Sequence, residues 1–182
     1  RVRIEGRSEM DVVTPLLGEA GALACAGAIA AALASGSGPL DEAVVNEAFA
    51  TCEVGGGAER LVPMIVGRDV AVVDDSYNAN PASMCASIRA AAEIAAAQER
   101  RLVLVLGEMR ELGAAAESGH DKVGRAARES GAALVIAVGP LAARYGAQLE
   151  GSAIAHAHTR TAEEAAGIAR EAVRAGDLVL VK

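Results

Sequence analysis

At 182 residues, with 52% hydrophobic and 23% charged side chains, the chain can build one full core and is too apolar to be disordered. Aromatic residues make up only 2%, with no Trp, so stacking platforms for bases are not expected. A formal net charge of -7 gives no positive field for a phosphate backbone, and nucleic acid is not an expected partner.

Arg1 to Pro15 sets Val2, Ile4, Val12 and Val13 among charged residues around Gly6, a pattern of one or two short strands. Glu19 to Ala34 is dominated by Ala with Leu23, Ile29 and Leu33, and Ser35 to Pro39 ends that helix. The Ala20 to Ala34 run is too short and too rich in Gly and Ala to span a bilayer, and no basic leader precedes it. Membrane insertion is therefore not expected, and the cytoplasm is the expected compartment. A second helix covers about Asp41 to Ala50, with Asp41 as N-cap or first-turn acid, and Gly55-Gly56-Gly57 reads as a loop or hinge.

Beyond that loop, short apolar runs alternate with Ala-rich amphipathic segments. The runs are Val70 to Val73, Leu102 to Leu106, Leu134 to Val138 and Leu178 to Val181, with a weaker fifth near Ser152 to Ala155. Uninterrupted apolar runs are what a parallel sheet covered on both faces requires. Helix-length segments at about Pro81 to Gln98, Glu117 to Ser130 and Ala162 to Ala175 lie between them, which gives a doubly wound, mainly parallel α/β domain. Ligands of such domains sit at the carboxyl ends of the strands, so the loops after Val73, Leu106 and Val138 are the places for chemistry.

The most informative of these loops is Asp74-Asp75-Ser76-Tyr77-Asn78-Ala79-Asn80-Pro81. Asn80 suits an N-cap and Pro81 the first helical position, so the loop carries polar side chains to a helix N-terminus receptive to a carboxylate or phosphate. Asp74 and Asp75 can accept hydrogen bonds from ribose hydroxyls, receive an amine, or face a metal through water. They can equally be solvated acids of a capped turn. Among the histidines, His120 reads as a structural hydrogen-bonding group near a helix start. His156 and His158 alternate on a strand without further ligands nearby. Cys25, Cys52 and Cys85 lie far apart with no CxxC spacing and read as buried reduced thiols.

The Asp74 to Pro81 octapeptide resembles the signature that opens the C-terminal domain of the D-alanyl-D-alanine-adding members of the Mur ligase family. Leu106-Gly107-Glu108-Met109-Arg110-Glu111-Leu112-Gly113, followed by His120 and Val123-Gly124, is similar to the same family's segment after the next strand. Glu59-Arg60-Leu61-Val62-Pro63 more weakly resembles the family's junction between its ATPase and C-terminal domains. The resemblance implies a Mur ligase C-terminal, Rossmann-like domain at 67–182, incomplete at its end. Residues 1–66 would be the end of the central ATP-binding domain. It implies an ATP-dependent amide ligase that joins D-alanyl-D-alanine to UDP-N-acetylmuramoyl-tripeptide in peptidoglycan synthesis. In that chemistry ATP, with Mg2+, phosphorylates a carboxylate that the dipeptide amine then attacks. It further implies that Asp75 meets the ATP ribose and Arg60 the phosphates, with Tyr77, Asn78 and Asn80 positioning the dipeptide; no catalytic residue and no metal ligand is assigned within the chain.

The sequence departs from the family in two places. No GxxxxGK followed by Ser or Thr occurs, so the phosphate loop is not in these 182 residues, and the chain taken alone is expected to be inactive. Ala20, Gly21 and Ala24 stand where family members carry a His-Asn pair and a later Asn, and they cannot make the same hydrogen bonds to adenine. The alternative reading is a non-catalytic α/β domain that holds a small anion or nucleotide at the helix beginning after Asn80.

Overall fold

The computed structural model describes residues 9–14, 18–36, 40–51, 62–67 and 69–182. They fall into two compact units, Arg1–Gly56 and Gly57–Lys182.

In the first unit, helices α1 (Gly18–Ala34) and α2 (Glu42–Thr51) are those the Ala-rich segments predict. Asp41 acts as the N-cap of α2, its Oδ1 accepting from the Val44 amide at 2.8 Å. Met10, Ile29 and Val45 form a small buried cluster against Val12, Leu33 and Phe49. Asn46 ties this together, accepting from the Val13 amide at 2.7 Å and donating to the Asp11 carbonyl at 2.9 Å. Of the strands expected near the start, residues 1–8 lie outside the described residues. Residues 9–14 contribute one bridge, at Met10, and no strand.

The described residues of the second unit carry six strands: β1 (Val62–Val66), β2 (Val70–Asp74), β3 (Arg101–Gly107), β4 (Leu134–Val138), β5 (Ala155–Thr159) and β6 (Asp177–Val181). Their order is β1-β2-β6-β3-β4-β5, with β1 antiparallel at one edge and all other pairs parallel. The expected α/β, doubly wound and mainly parallel class is what the chain adopts. Strand β1 is hydrogen-bonded along its length to β2, from Val62 opposite Asp74 to Val66 opposite Val70. The division therefore falls at Gly56, about ten residues before the expected change at 66/67. Pro63, inside the apolar run, hides this strand in the sequence, and an edge is where a sheet tolerates proline.

Helices α3 (Pro81–Ala97), α4 (Ala116–Glu129) and α5 (Ala143–Leu149) cover one face, and α6 (Ala162–Ala172) lies on the other. Crossovers from β2 to β5 run one way along the sheet and the return from β5 to β6 runs back, so right-handed connections place α6 opposite the rest. Helix α3 presents Met84, Cys85, Ile88, Ala91 and Ala95, a helical stripe, to Val73, Leu104 and Leu180. Met84 and Ile88 are fully buried, and each contributes roughly 1.5–3 kcal/mol by leaving water. The helix stops where Glu99 turns left-handed, at φ 52°. Helix α6 opens with a reciprocal Thr161–Glu164 capping box and buries Ala165 against Val103, Ile136 and Val179. Beside α6, a groove of about 750 Å3 is floored by Val72, Val105, Val179 and Val181. The helix α5 and the placement of β5 at Ala155–Thr159, three residues beyond its expected start, are the two elements of this unit besides β1 that the sequence pattern missed. No described helix is long and apolar enough to cross a membrane.

Candidate functional site at the strand carboxyl ends

Strands β2, β6, β3 and β4 end side by side, and the loops leaving them bring together the segments singled out in the sequence. After β2, the chain turns at Asp75, whose amide donates to the Val181 carbonyl at 2.9 Å. The Asp75 side chain points inward. Its Oδ2 accepts from Ser87 Oγ of α3 at 2.5 Å and from Lys182 Nζ at 2.6 Å. The residue is 5% exposed and Lys182 8%, so this is a buried ion pair with added hydrogen bonds. Both bonds end on Oδ2, so any ribose hydroxyl has to be met by Oδ1. Asp74 instead curls back to its own turn, its Oδ1 accepting from the Ser76 amide at 2.9 Å.

Tyr77 and Asn78 lie on the outer side of the loop, and Tyr77 is 62% exposed. Asn78 Oδ1 accepts from the Ala79 amide at 2.8 Å, which leaves the Nδ2 donor on the outside. Asn80 is the N-cap of α3: its Oδ1 accepts from the Ala82 and Ser83 amides at 3.0 and 2.9 Å, and Ser83 Oγ accepts from the Asn80 amide at 3.2 Å. With Pro81 lacking an N–H and the Met84 amide donating to the Asn80 carbonyl, the first turn of α3 is satisfied from within. An anion at this terminus would have to displace the cap.

The loop after β3 is braced on every side. Its Gly107 amide donates to the Lys182 carbonyl at 2.6 Å, and the Gly107 carbonyl accepts from the Tyr145 hydroxyl at 2.9 Å. Burial, and then the neighbouring Glu108 charge, push that hydroxyl well above the usual tyrosine range, so it stays protonated as a donor. His120, fully buried, accepts from the Met109 amide at its Nε2 (3.0 Å), and its Nδ1 donates to the Ala116 carbonyl at 2.6 Å. This is the bonding of a neutral imidazole with a fixed tautomer, stacked on Tyr145 with ring centroids 5.5 Å apart. Glu108 is drawn in as well, its Oε2 accepting from the Leu141 amide at 3.2 Å beneath Gly139. Of the three charged residues of this segment, Arg110 and Glu111 are exposed, whereas the Glu108 side chain is 18% exposed.

Other candidates separate. His158 Nε2 meets the Gly139 carbonyl at 2.8 Å while His156 lies against Gly146, so the two do not converge. Among the described residues no group of three or more His, Cys, Asp or Glu is placed to hold a metal ion. Cys25 and Cys85 are buried free thiols, and burial raises Cys85. Arg60 and Cys52 lie outside the described residues. Lys182 is the residue that sequence reasoning passed over. It closed an apolar run, and only the sheet order, which inserts β6 between β2 and β3, brings it to the loop.

Comparison with known proteins accords with this geometry. The chain is 41% identical over 134 residues to the UDP-N-acetylmuramoyl-tripeptide--D-alanyl-D-alanine ligase of Mycobacterium bovis, covering 64% of this chain and 26% of that protein. It is 37% identical over 130 residues to the Escherichia coli K12 protein of the same name, covering 71% and 27%. The chain thus spans about a quarter of the length of the relatives it matches. A crystal structure of MurF from Acinetobacter baumannii superposes with a TM-score of 0.71 at 28% identity, over 93% of this chain and 35% of that one. MurF ligase from Thermotoga maritima, in complex with ADP, shares the fold with a TM-score of 0.69 at 22% identity, over 91% and 35%. Residues 60–182 match the family described as Mur ligase, glutamate ligase domain, and the chain belongs to the Mur ligase family.

Proposed function

We propose that this chain is part of an ATP-dependent ligase that adds D-alanyl-D-alanine to UDP-N-acetylmuramoyl-tripeptide in the cytoplasm, and that its second unit receives the dipeptide. One observation carries this reading: the loop that bears the family's octapeptide leaves a strand end with Tyr77 and Asn78 outward on a backbone held from behind by Lys182. The names of the relatives support the substrate. A zwitterionic dipeptide needs both donors and acceptors, and an amide with its Nδ2 outward beside a phenol provides them. Asn80 contributes by capping α3 and so fixing where the loop ends.

ATP, when bound, supplies the phosphoryl group that makes the tripeptide carboxylate reactive. The phosphate loop and the ligands for Mg2+ would come from outside the described residues, with the first unit, Arg1–Gly56, read as the end of an ATP-binding domain. Asp75 through Oδ1 and Arg60 are the proposed contacts to ribose and phosphates. The competing reading, a non-catalytic domain that holds a small anion at the start of α3, loses its donors to Asn80.

The test is Asn78→Ala in the longer protein that contains this chain. The KM for D-alanyl-D-alanine is expected to rise about fivefold or more, as for a lost hydrogen bond, with Tm and the KM for ATP nearly unchanged. Normal dipeptide kinetics with a lowered Tm would make the loop scaffold and remove the role assigned to it.

A further inference from the structure

We propose that Lys182 is a positioning residue for the dipeptide loop, acting through the backbone of residues 75–78; this rests on reading that loop as the dipeptide-facing element. Its ammonium donates to Asp75 Oδ2 at 2.6 Å, to the Asp75 carbonyl at 3.2 Å and to the Asn78 carbonyl at 2.8 Å. A protonated lysine has three N–H donors, and these three acceptors account for all of them. Lys182 therefore has no donor to give a substrate or a phosphate without releasing the loop, which makes it a positioning group and not a catalytic one.

The two carbonyls lie on either side of Ser76 and Tyr77. Fixing both from beneath sets the arc of the turn, and the arc decides where the Tyr77 and Asn78 side chains project. The clamp is itself anchored. The Lys182 amide donates to the Val105 carbonyl at 2.9 Å and its carbonyl accepts from Gly107 at 2.6 Å, so the backbone that bears the ammonium belongs to the β3 edge. A Cβ at Gly107 would stand 3.4 Å from that carbonyl, in contact already. With its side chain only 3% exposed, the ammonium has no water shell to fall back on and keeps these acceptors. Ser87 meets the same Asp75 oxygen from α3 but touches neither loop carbonyl. It is thus a natural control: it shares the carboxylate and lacks the backbone grip.

The experiment compares amide hydrogen exchange in the 182-residue chain with that in Lys182→Met and Ser87→Ala. Lys182→Met is expected to speed exchange at Ser76 and Ala79 about tenfold or more, as loss of charge-assisted hydrogen bonds implies. Ala91 in the core of α3 should stay as in the parent, and Ser87→Ala should leave Ser76 and Ala79 nearly as they were. If the unpaired Asp75 unfolds Lys182→Met, the double variant Asp75→Asn/Lys182→Met removes both charges, and the same local loosening is expected. Unchanged exchange at Ser76 and Ala79 in a folded variant overturns the clamp.

The second arm is kinetic and uses the longer protein. Lys182→Met is expected to raise the dipeptide KM about tenfold while kcat at saturation stays within about twofold, whereas plain destabilisation would lower kcat through the active fraction and leave KM alone. Faster loop exchange with an unchanged dipeptide KM would leave the clamp standing and overturn the dipeptide reading on which its role in the reaction rests.

Discussion

Asp75 is a buried anion paired with a buried cation, and that pairing governs how its substitution reads out. Replacing Asp75 with Ala strands the Lys182 ammonium, which is 3% exposed, in a place where water cannot replace the lost charge. Breaking a buried pair from one side costs about 3–5 kcal/mol, more than the roughly 1.5–3 kcal/mol of a ribose hydrogen bond. Asp75→Ala is therefore expected to lower the denaturant midpoint strongly, and a raised KM for ATP in the fraction that remains folded would then speak for the ribose contact. Equilibrium urea unfolding of the chain, alongside ATP kinetics of the longer protein, separates the two; an unchanged midpoint would mean that the ion pair is not formed in solution. Asn78 and Asn80 divide in a similar way. The cap of α3 consumes the Asn80 acceptor, while Asn78 keeps its outer donor, so only Asn78 isolates recognition from stability.

At the scale of elements, two pairs of contacts make opposite demands. Helices α4 and α5 approach so closely at Gly124 that an added Cβ would stand 2.9 Å from Gln148 Cβ and 3.1 Å from Tyr145 Cα. Backbone cannot swing aside, so overpacking of about 1–3 kcal/mol outweighs the gain of up to about 1 kcal/mol that Ala brings to a helix. On α6, by contrast, a Cβ at Gly167 meets nothing within 4 Å. Gly124→Ala should lower Tm and Gly167→Ala raise it, and thermal unfolding that shows the same sign for both would contradict the α4–α5 packing. At the start of β6, Asp177 accepts from Arg101 at 2.8 and 2.6 Å and from the Arg174 amide at 2.8 Å. Burial opposes its charged form, yet these bonds and the two arginine charges outweigh it and hold the carboxyl below the usual range. A pKa depressed on folding stabilises the native state above the unfolded value of about 3.9 and is lost as pH falls through the folded one. The stability difference between the parent and Asp177→Asn should then be flat from about pH 7 to 5 and shrink below about pH 4. A difference that grows with acid would reverse the assignment.

Across the whole molecule, what was legible in the sequence follows from what repeats along it. Unbroken apolar runs such as Leu102 to Leu106 announce buried parallel strands, and Asn80-Pro81 announces the start of α3, because those signals are local. The short helix Ala143–Leu149 carries too few turns to show a period, and β5, with His156 and His158 exposed at a sheet edge, lacks the apolar run of its neighbours. Lys182 illustrates the deeper reason. Its partners Asp75 and Asn78 lie 107 and 104 positions earlier, and no pattern along the chain encodes that meeting; only the sheet order does. The same limit applies to Glu108, a loop carboxylate that the fold draws beneath Gly139. The unit Gly57–Lys182 thus supplies a braced rim of loops and, in the proposed ligase, the dipeptide's side of an active site whose phosphate loop is not in these 182 residues. That assignment is tested most directly by following ATP turnover in the longer protein with D-alanyl-D-alanine, and with single amino acids in its place, in the presence of the UDP-N-acetylmuramoyl-tripeptide. Turnover that requires both the tripeptide and the dipeptide, and that is absent from the 182-residue chain alone, is the expected result. Equal turnover with a single amino acid, or turnover indifferent to the dipeptide, would contradict it.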